Sequence, residues 1–280
     1  MRQACLALAL TCLPGTASAA NWTLELSGGL ASLPDEGSQP FLSAGLSRDL
    51  GALQLRGGVA WYGGTDEDAA STALLPAETW QATVGAGYAT GPVLIDVYAS
   101  IGRRRFDPVV RDLRNNQVIR FETEGGLFTL GGSLTLDAPL GPGWAAAPFV
   151  SVSYSALSTA RTITPPAGAP LIEERAEKGV TGTIGASVLR DFGDGSLGVY
   201  VAGAATTNRA SVDRQGSITL ATRVPGLSGD DDGGDAWLEY GLNGSVALSR
   251  TVSLDAAVVR TAGFADGETT SVTAGLRIAF

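Results

Sequence analysis

From residue 22 to its end the chain alternates apolar and polar side chains with a period of two, segment after segment, and the connections between segments alternate long and short. A period of two marks a strand with one apolar and one polar face. Twelve strands are expected, near 22–32, 41–48, 52–62, 79–89, 93–103, 121–136, 144–157, 179–190, 197–208, 236–248, 252–260 and 270–280. The short connections, such as Arg48-Asp49-Leu50-Gly51, Thr90-Gly91-Pro92, Phe192-Gly193-Asp194-Gly195 and Ser249-Arg250, have the chemistry of hairpin turns. The long ones, near 63–78, 104–120, 158–178 and 209–235, carry most of the charges and prolines. An even number of strands whose connections sort by length onto two ends predicts an all-β fold, a transmembrane antiparallel up-and-down β-barrel of about 12 strands. A soluble sandwich has no reason to sort its loops in this way.

The faces agree. In the third segment Leu53, Leu55, Val59 and Trp61 oppose Gln54, Arg56 and Tyr62; in the fifth, Val93, Ile95, Val97, Ala99 and Ile101 oppose Asp96, Tyr98 and Ser100; in the tenth, Leu238, Tyr240, Leu242, Val246 and Leu248 oppose Glu239, Asn243 and Ser245. Lipid demands such uncharged faces, because an Arg or Lys at the bilayer midplane costs about 2–4 kcal/mol. Alternation alone does not choose between lipid outside and a core inside, and the two ends of the chain make that choice. Arg2, an apolar run over 4–13, Pro14, Gly15 and the small residues Ala17, Ser18 and Ala19 form the three parts of a secretory signal cleaved after Ala19. The run is far short of the roughly 20 residues of a spanning helix. Residues 1–19 are therefore expected to be a leader and 20–280 a single barrel domain. Cys5 and Cys12 fall in the leader, so the barrel has neither disulfides nor thiolate metal sites. Lipidation at Cys12 is disfavoured by Leu10 and Thr11 before it. The longest uncharged stretch, 138–160, contains Pro139, Pro142 and Pro148 and is no spanning helix. At the other end, Thr273, Gly275, Ile278 and Phe280 are spaced like the sorting signal that outer-membrane barrels present to their insertion machinery. The expected address is the outer membrane of a Gram-negative cell.

Parity directs Glu25, Arg56, Asp96, Glu239, Asp255 and Arg277 into the lumen among many Gly, Ser, Thr and Ala. Such a set either tunes the selectivity of a water-filled pore or forms an ion-pair network that stiffens the barrel. Trp22, Trp61, Trp80, Trp144 and Trp237 all lie at strand ends, where an indole can sit in the membrane interface as a girdle. Trp237 has lumen parity, which calls for a bulge there or a boundary shifted by one. Arg103, Arg104, Arg105, Arg111, Arg114 and Arg120, against Asp107 and Asp112, form a basic stretch able to meet lipopolysaccharide phosphates or an anionic solute; a solvated loop is the plainer reading. Asp230, Asp231, Asp232 and Asp235 lack EF-hand spacing and read as a surface loop, as do Asp66, Glu67 and Asp68. The chain has no histidine, which excludes the outer-membrane hydrolases that depend on one; no enzymatic activity and no cofactor are expected. A net charge of −9 argues against nucleic acid. The expected partners are outer-membrane lipid and lipopolysaccharide, the barrel assembly machinery during insertion, and a solute or surface ligand.

Residues 237–280, WLEYGLNGSVALSRTVSLDAAVVRTAGFADGETTSVTAGLRIAF, resemble the C-terminal hairpins of the autotransporter β-domain, the translocator of type V secretion, and 147–155, APFVSVSYS, is similar to its mid-barrel strand. The resemblance implies a twelve-stranded outer-membrane barrel. A typical member carries a passenger and a helix that threads the lumen. Here the first strand follows the expected cleavage site within a few residues, and Asn115-Asn116 falls in a mid-chain loop rather than a pore helix. A barrel without a passenger, in a structural or surface-contact role, is therefore expected. A small passive solute channel and an adhesin acting through its extracellular loops are the alternatives.

Overall fold

A computed structural model describes residues 21–33, 37–63, 76–106, 108–113, 117–207, 235–263 and 268–280. The expected leader lies outside them, as do Asp66, Glu67, Asp68, Asp107, Arg114, Asn115-Asn116 and Asp230–232.

Alternation over these segments produces strands because the backbone of a lipid-exposed chain must be satisfied by pairing, and only a closed ring leaves no edge. The strands are β1 (Trp22–Leu33), β2 (Gly37–Asp49), β3 (Leu53–Gly63), β4 (Pro76–Thr90), β5 (Val93–Phe106), β6 (Val109–Leu113), β7 (Gln117–Leu136), β8 (Ala138–Gly141), β9 (Trp144–Thr164), β10 (Leu171–Asp191), β11 (Gly195–Thr206), β12 (Asp235–Ala247), β13 (Val252–Ala262) and β14 (Thr270–Ala279). All pairings are antiparallel. The ring runs β1-β2-β3-β4-β5-β7-β9-β10-β11-β12-β13-β14 and closes from Thr23↔Ala279 to Ser32↔Thr270. It has the twelve strands that the sequence predicts, with β6 and β8 as short additions hydrogen-bonded to β7 and β9. At the closure Trp22 and Phe280 exchange backbone hydrogen bonds of 3.1 and 2.9 Å. The tight turns lie on this same rim, here called the turn rim; the long connections lie on the opposite, loop rim.

Outside, the barrel presents Leu26, Leu42, Leu55, Val84, Val97, Leu130, Val152, Ile184, Val199, Leu242, Val258 and Val272, all exposed. Inside, the buried positions are mostly polar or small, among them Asp96, Ser100, Thr129, Ser155, Thr181, Ala202 and Glu239. This inverts a soluble protein, with apolar side chains outward and polar ones inward, as a membrane barrel requires.

Two of the expected loops are instead strand. β7, β9 and β10 have 20, 21 and 21 residues, against 10 to 15 for the other nine strands of the ring. Beyond Thr181, paired with Thr206, β10 continues to Leu171 without β11, so it rises about 30 Å above that last partner. Its neighbour there is β9, in register from Lys178↔Ala156 to Leu171↔Ile163. With β6 and the start of β7 they form a four-stranded blade, β6-β7-β9-β10, on the loop rim. The sequence hides this extension because a strand clear of lipid has water on both faces and no reason to alternate.

Candidate functional site

On the half of the barrel formed by β1 to β5, β13 and β14, the lumen holds a cavity of about 240 Å³. Its wall includes Ser27, Ser43, Gln54, Gln81, Tyr98 and Thr273, and four of the six expected lumen charges, Glu25, Arg56, Asp255 and Arg277, line it a little above the turn rim, with a fifth, Asp96, buried against Arg56. Arg56, on β3, makes a two-pronged ion pair with the buried carboxylate of Asp96, on β5. Between them lies β4, whose lumen-facing positions here are Gly85 and Gly87. A Cβ on Gly85 would sit 3.1 Å from Arg56 Nε and 3.0 Å from the Val97 carbonyl oxygen, so the absent side chain is what lets the guanidinium cross a whole strand. Arg277 donates to Asp255 at 2.6 and 3.3 Å, and Glu25 stands opposite Arg277 in the β1–β14 register. Neighbouring polar side chains pair as well: Ser27 with Ser43 at 2.6 Å, and Gln81 donating to Ser100 at 2.9 Å. The layer thus holds three carboxylates and two guanidiniums.

The sixth expected lumen residue, Glu239, belongs to a different cluster. It is 5 % exposed and accepts hydrogen bonds from Tyr200 Oη at 3.0 Å and from Trp237 Nε1 at 2.7 Å, while Tyr200 stacks on Phe149 with centroids 6.0 Å apart. Trp237 is therefore no girdle residue. It is turned into the lumen and 6 % exposed, β12 runs from Asp235 without a bulge, and the parity read in the sequence is the true one. The cause is the hydrogen bond: a buried indole N–H needs an acceptor, and Glu239, two residues along the same face, supplies it. Trp22, Trp61, Trp80 and Trp144 face outward; Trp61 and Trp80 are register partners at the loop rim, and Trp22 and Trp144 stand at the turn rim.

The basic stretch divides. Arg103 and Arg105 point outward and pair with Glu124 at 2.8 Å and Glu78 at 3.6 Å. Arg104 turns inward, fully buried, donating to Thr159 at 3.0 Å with its guanidinium 5.3 Å from the Phe106 ring. Arg120, on the blade, pairs with Glu122 at 2.9 Å. Among the described residues each exposed arginine of the stretch, Arg103, Arg105 and Arg120, already has a carboxylate, so this part of it is not the bare cationic surface that its composition suggests. Gln81 and Tyr200 are lumen residues that were not singled out from the sequence, and Arg104 was read as part of a basic loop, although period two places each on the inner face. Among the described residues no cluster of His, Cys, Asp and Glu is fit to hold a metal ion.

A closed antiparallel ring, apolar outside and charged within, defines an integral outer-membrane β-barrel. The family model of the autotransporter beta-domain matches residues 36–258, and the chain belongs to that family. Its structure is similar to the translocator domain of the autotransporter NalP from Neisseria meningitidis, with a TM-score of 0.67 and 13 % identity over 100 % of this chain and 95 % of that one. It is also similar to the beta domain of the Bordetella autotransporter BrkA, at 0.58 and 17 % over 94 % and 100 %, and to LpxR from Salmonella typhimurium, at 0.53 and 12 % over 92 % and 100 %. At these identities the likeness is one of fold. No curated protein matches by sequence.

Proposed function

We propose that this barrel works at the cell surface, where the β6-β7-β9-β10 blade makes contact with a surface ligand, and that it has no enzymatic activity. The observation that carries this reading is strand length. About 9–11 residues cross an outer membrane, and β7, β9 and β10 have twice that number. With both ends of the barrel at the turn rim in the periplasm, the usual orientation of such barrels, the blade stands outside the cell. Val110, Leu171 and Ile172 are exposed on it with no lipid to cover them. Export by a leader over 1–19 and insertion through Thr273, Gly275, Ile278 and Phe280 belong to the same reading, as does lipopolysaccharide around the outward Trp61 and Trp80.

The test is to replace residues 158–176 by a short hairpin turn and compare adherence and autoaggregation of cells displaying either form. Loss of contact with an undiminished, heat-modifiable barrel band is expected; equal adherence would sink the proposal. A small passive channel is the second reading, favoured by the polar cavity among Glu25, Arg56 and Arg277. Reproducible conductance steps from refolded protein in planar bilayers would support it, and a silent bilayer would count against it.

A further inference from the structure

Two corners of the turn rim are built alike. The β2–β3 turn reads Arg48-Asp49-Leu50-Gly51 and the β10–β11 turn Arg190-Asp191-Phe192-Gly193. In each, the aspartate Oδ1 accepts the amide of the glycine two residues on, at 2.8 Å from Gly51 and 2.7 Å from Gly193. Those glycines have φ of 86° and 92°, a region L-residues rarely enter. The aspartate amide in turn donates to the residue preceding a tryptophan: Asp49 to the Asn21 carbonyl at 2.8 Å, Asp191 to that of Gly143 at 2.7 Å. Trp22 is the register partner of Arg48 and Trp144 that of Arg190. Each guanidinium lies over its indole, 5.2 Å from the Trp22 ring and 4.9 Å from the Trp144 ring, and Arg190 is also 5.7 Å from the ring of Phe192.

Neither arginine has a carboxylate partner among the described residues, and the adjacent Asp49 and Asp191 are engaged by the turn amides. The outward arginines described on the loop rim are the reverse: Arg103, Arg105, Arg120 and Arg260 pair with Glu124, Glu78, Glu122 and Glu268. The two turn-rim corners are also six strands apart in a ring of twelve, hence on opposite sides of the barrel. A guanidinium held over an indole face is attracted to it without spending its N–H donors on an acceptor atom. At the edge of an apolar band, the acceptor at that depth is the headgroup phosphate, which a planar guanidinium takes in two-pronged fashion.

We propose that Arg48 with Trp22, and Arg190 with Trp144, are two built sites for the phosphate of an anionic glycerophospholipid, one at each pole of the turn rim. The proposal rests on the barrel spanning a bilayer and is independent of the blade. Its probe is spin-labelled phosphatidylglycerol against spin-labelled phosphatidylcholine in phosphatidylcholine vesicles holding the refolded protein. The protein-associated fraction is read from the motionally restricted component of the spectrum. A preference of about fivefold for phosphatidylglycerol is expected. Arg48→Gln with Arg190→Gln brings it near unity while the heat-modifiable band persists, each single change gives an intermediate value, and Arg250→Gln, in a turn arginine that lies on no described ring, leaves it as it was. If the double variant fails to fold, Trp22→Leu with Trp144→Leu keeps both charges, removes the stack and is expected to lose the preference too.

A double variant that keeps the preference, or an equal loss from Arg250→Gln, would overturn the two sites. A wild-type preference near unity would overturn them and leave the spanning barrel intact, whereas no restricted lipid at all would overturn both. Inorganic phosphate replacing chloride at matched ionic strength is expected to change nothing; abolition of the preference would reassign the sites to free phosphate and overturn the lipid assignment.

Discussion

Arg56 and Asp96 form an ion pair across an intervening strand, and the glycine between them is as much a part of the pair as the two charges. Asp96 is 1 % exposed. Removing its partner leaves a buried carboxylate uncompensated, which costs about 3–5 kcal/mol at such sites. Arg56→Ala is therefore expected to lower the urea midpoint of the refolded barrel strongly. Arg56→Leu with Asp96→Leu should cost much less, since no charge is left alone. Gly85→Val should resemble Arg56→Ala, because its side chain occupies the path of the guanidinium. A Gly85→Val barrel as stable as wild type would show that the guanidinium has another route.

The charges in that layer do not cancel. Glu25, Asp255 and the buried Asp96 face Arg56 and Arg277, which leaves one negative charge in excess in the layer. If the lumen conducts, it should prefer potassium over chloride. Glu25→Gln removes the excess and should move the reversal potential in a KCl gradient toward the unselective value, while Arg277→Gln should sharpen the cation preference. An anion-selective wild type would contradict the layer as the selective element.

Barrel, strand count and lumen parity were legible because lipid imposes a rule on every spanning residue, and Leu55 against Arg56 or Val97 against Asp96 displays it locally. The rule lapses at the loop rim. Over Leu171-Ile172-Glu173-Glu174 on β10 both faces meet water, and on β5 Arg103-Arg104-Arg105 put charge on both faces, so strand continues where the sequence reads as loop. The Arg56–Asp96 pairing was illegible for another reason: it depends on register across one long connection and one turn, and on the glycines of a third strand. Trp237 was legible and misassigned, since its parity and the nearby Glu239 both point inward while the girdle pattern of the other four tryptophans points out.

Trp237 can be isolated by its depth. In a variant keeping only Trp237, with Trp22, Trp61, Trp80 and Trp144 changed to Phe, fluorescence in vesicles of brominated phospholipid should be quenched far less than in a variant keeping only Trp80, which is 54 % exposed on the outer face. Equal quenching would place Trp237 against lipid. In the same background Glu239→Ala removes the carboxylate acceptor of the indole N–H, and the emission should shift as Trp237 loses its fixed partner.

The blade predicts a boundary inside single strands. Within the barrel, β9 is hydrogen-bonded on both edges and protected by lipid on one face. Beyond Leu157 it remains paired with β7 and β10, but β10 has lost β11 and the outer face meets water. Local opening needs few buried contacts to break in such a region, and its free energy falls below that of the barrel. Hydrogen exchange followed by mass spectrometry should therefore divide β9 near Leu157 and β10 near Val180, with peptides from 158–164 and 171–178 exchanging faster than those from 145–156 and 182–190. Uniform protection along both strands would mean that the blade is braced by contacts beyond its own four strands, and replacing it by a short turn would then be expected to destabilise the barrel as well as abolish contact.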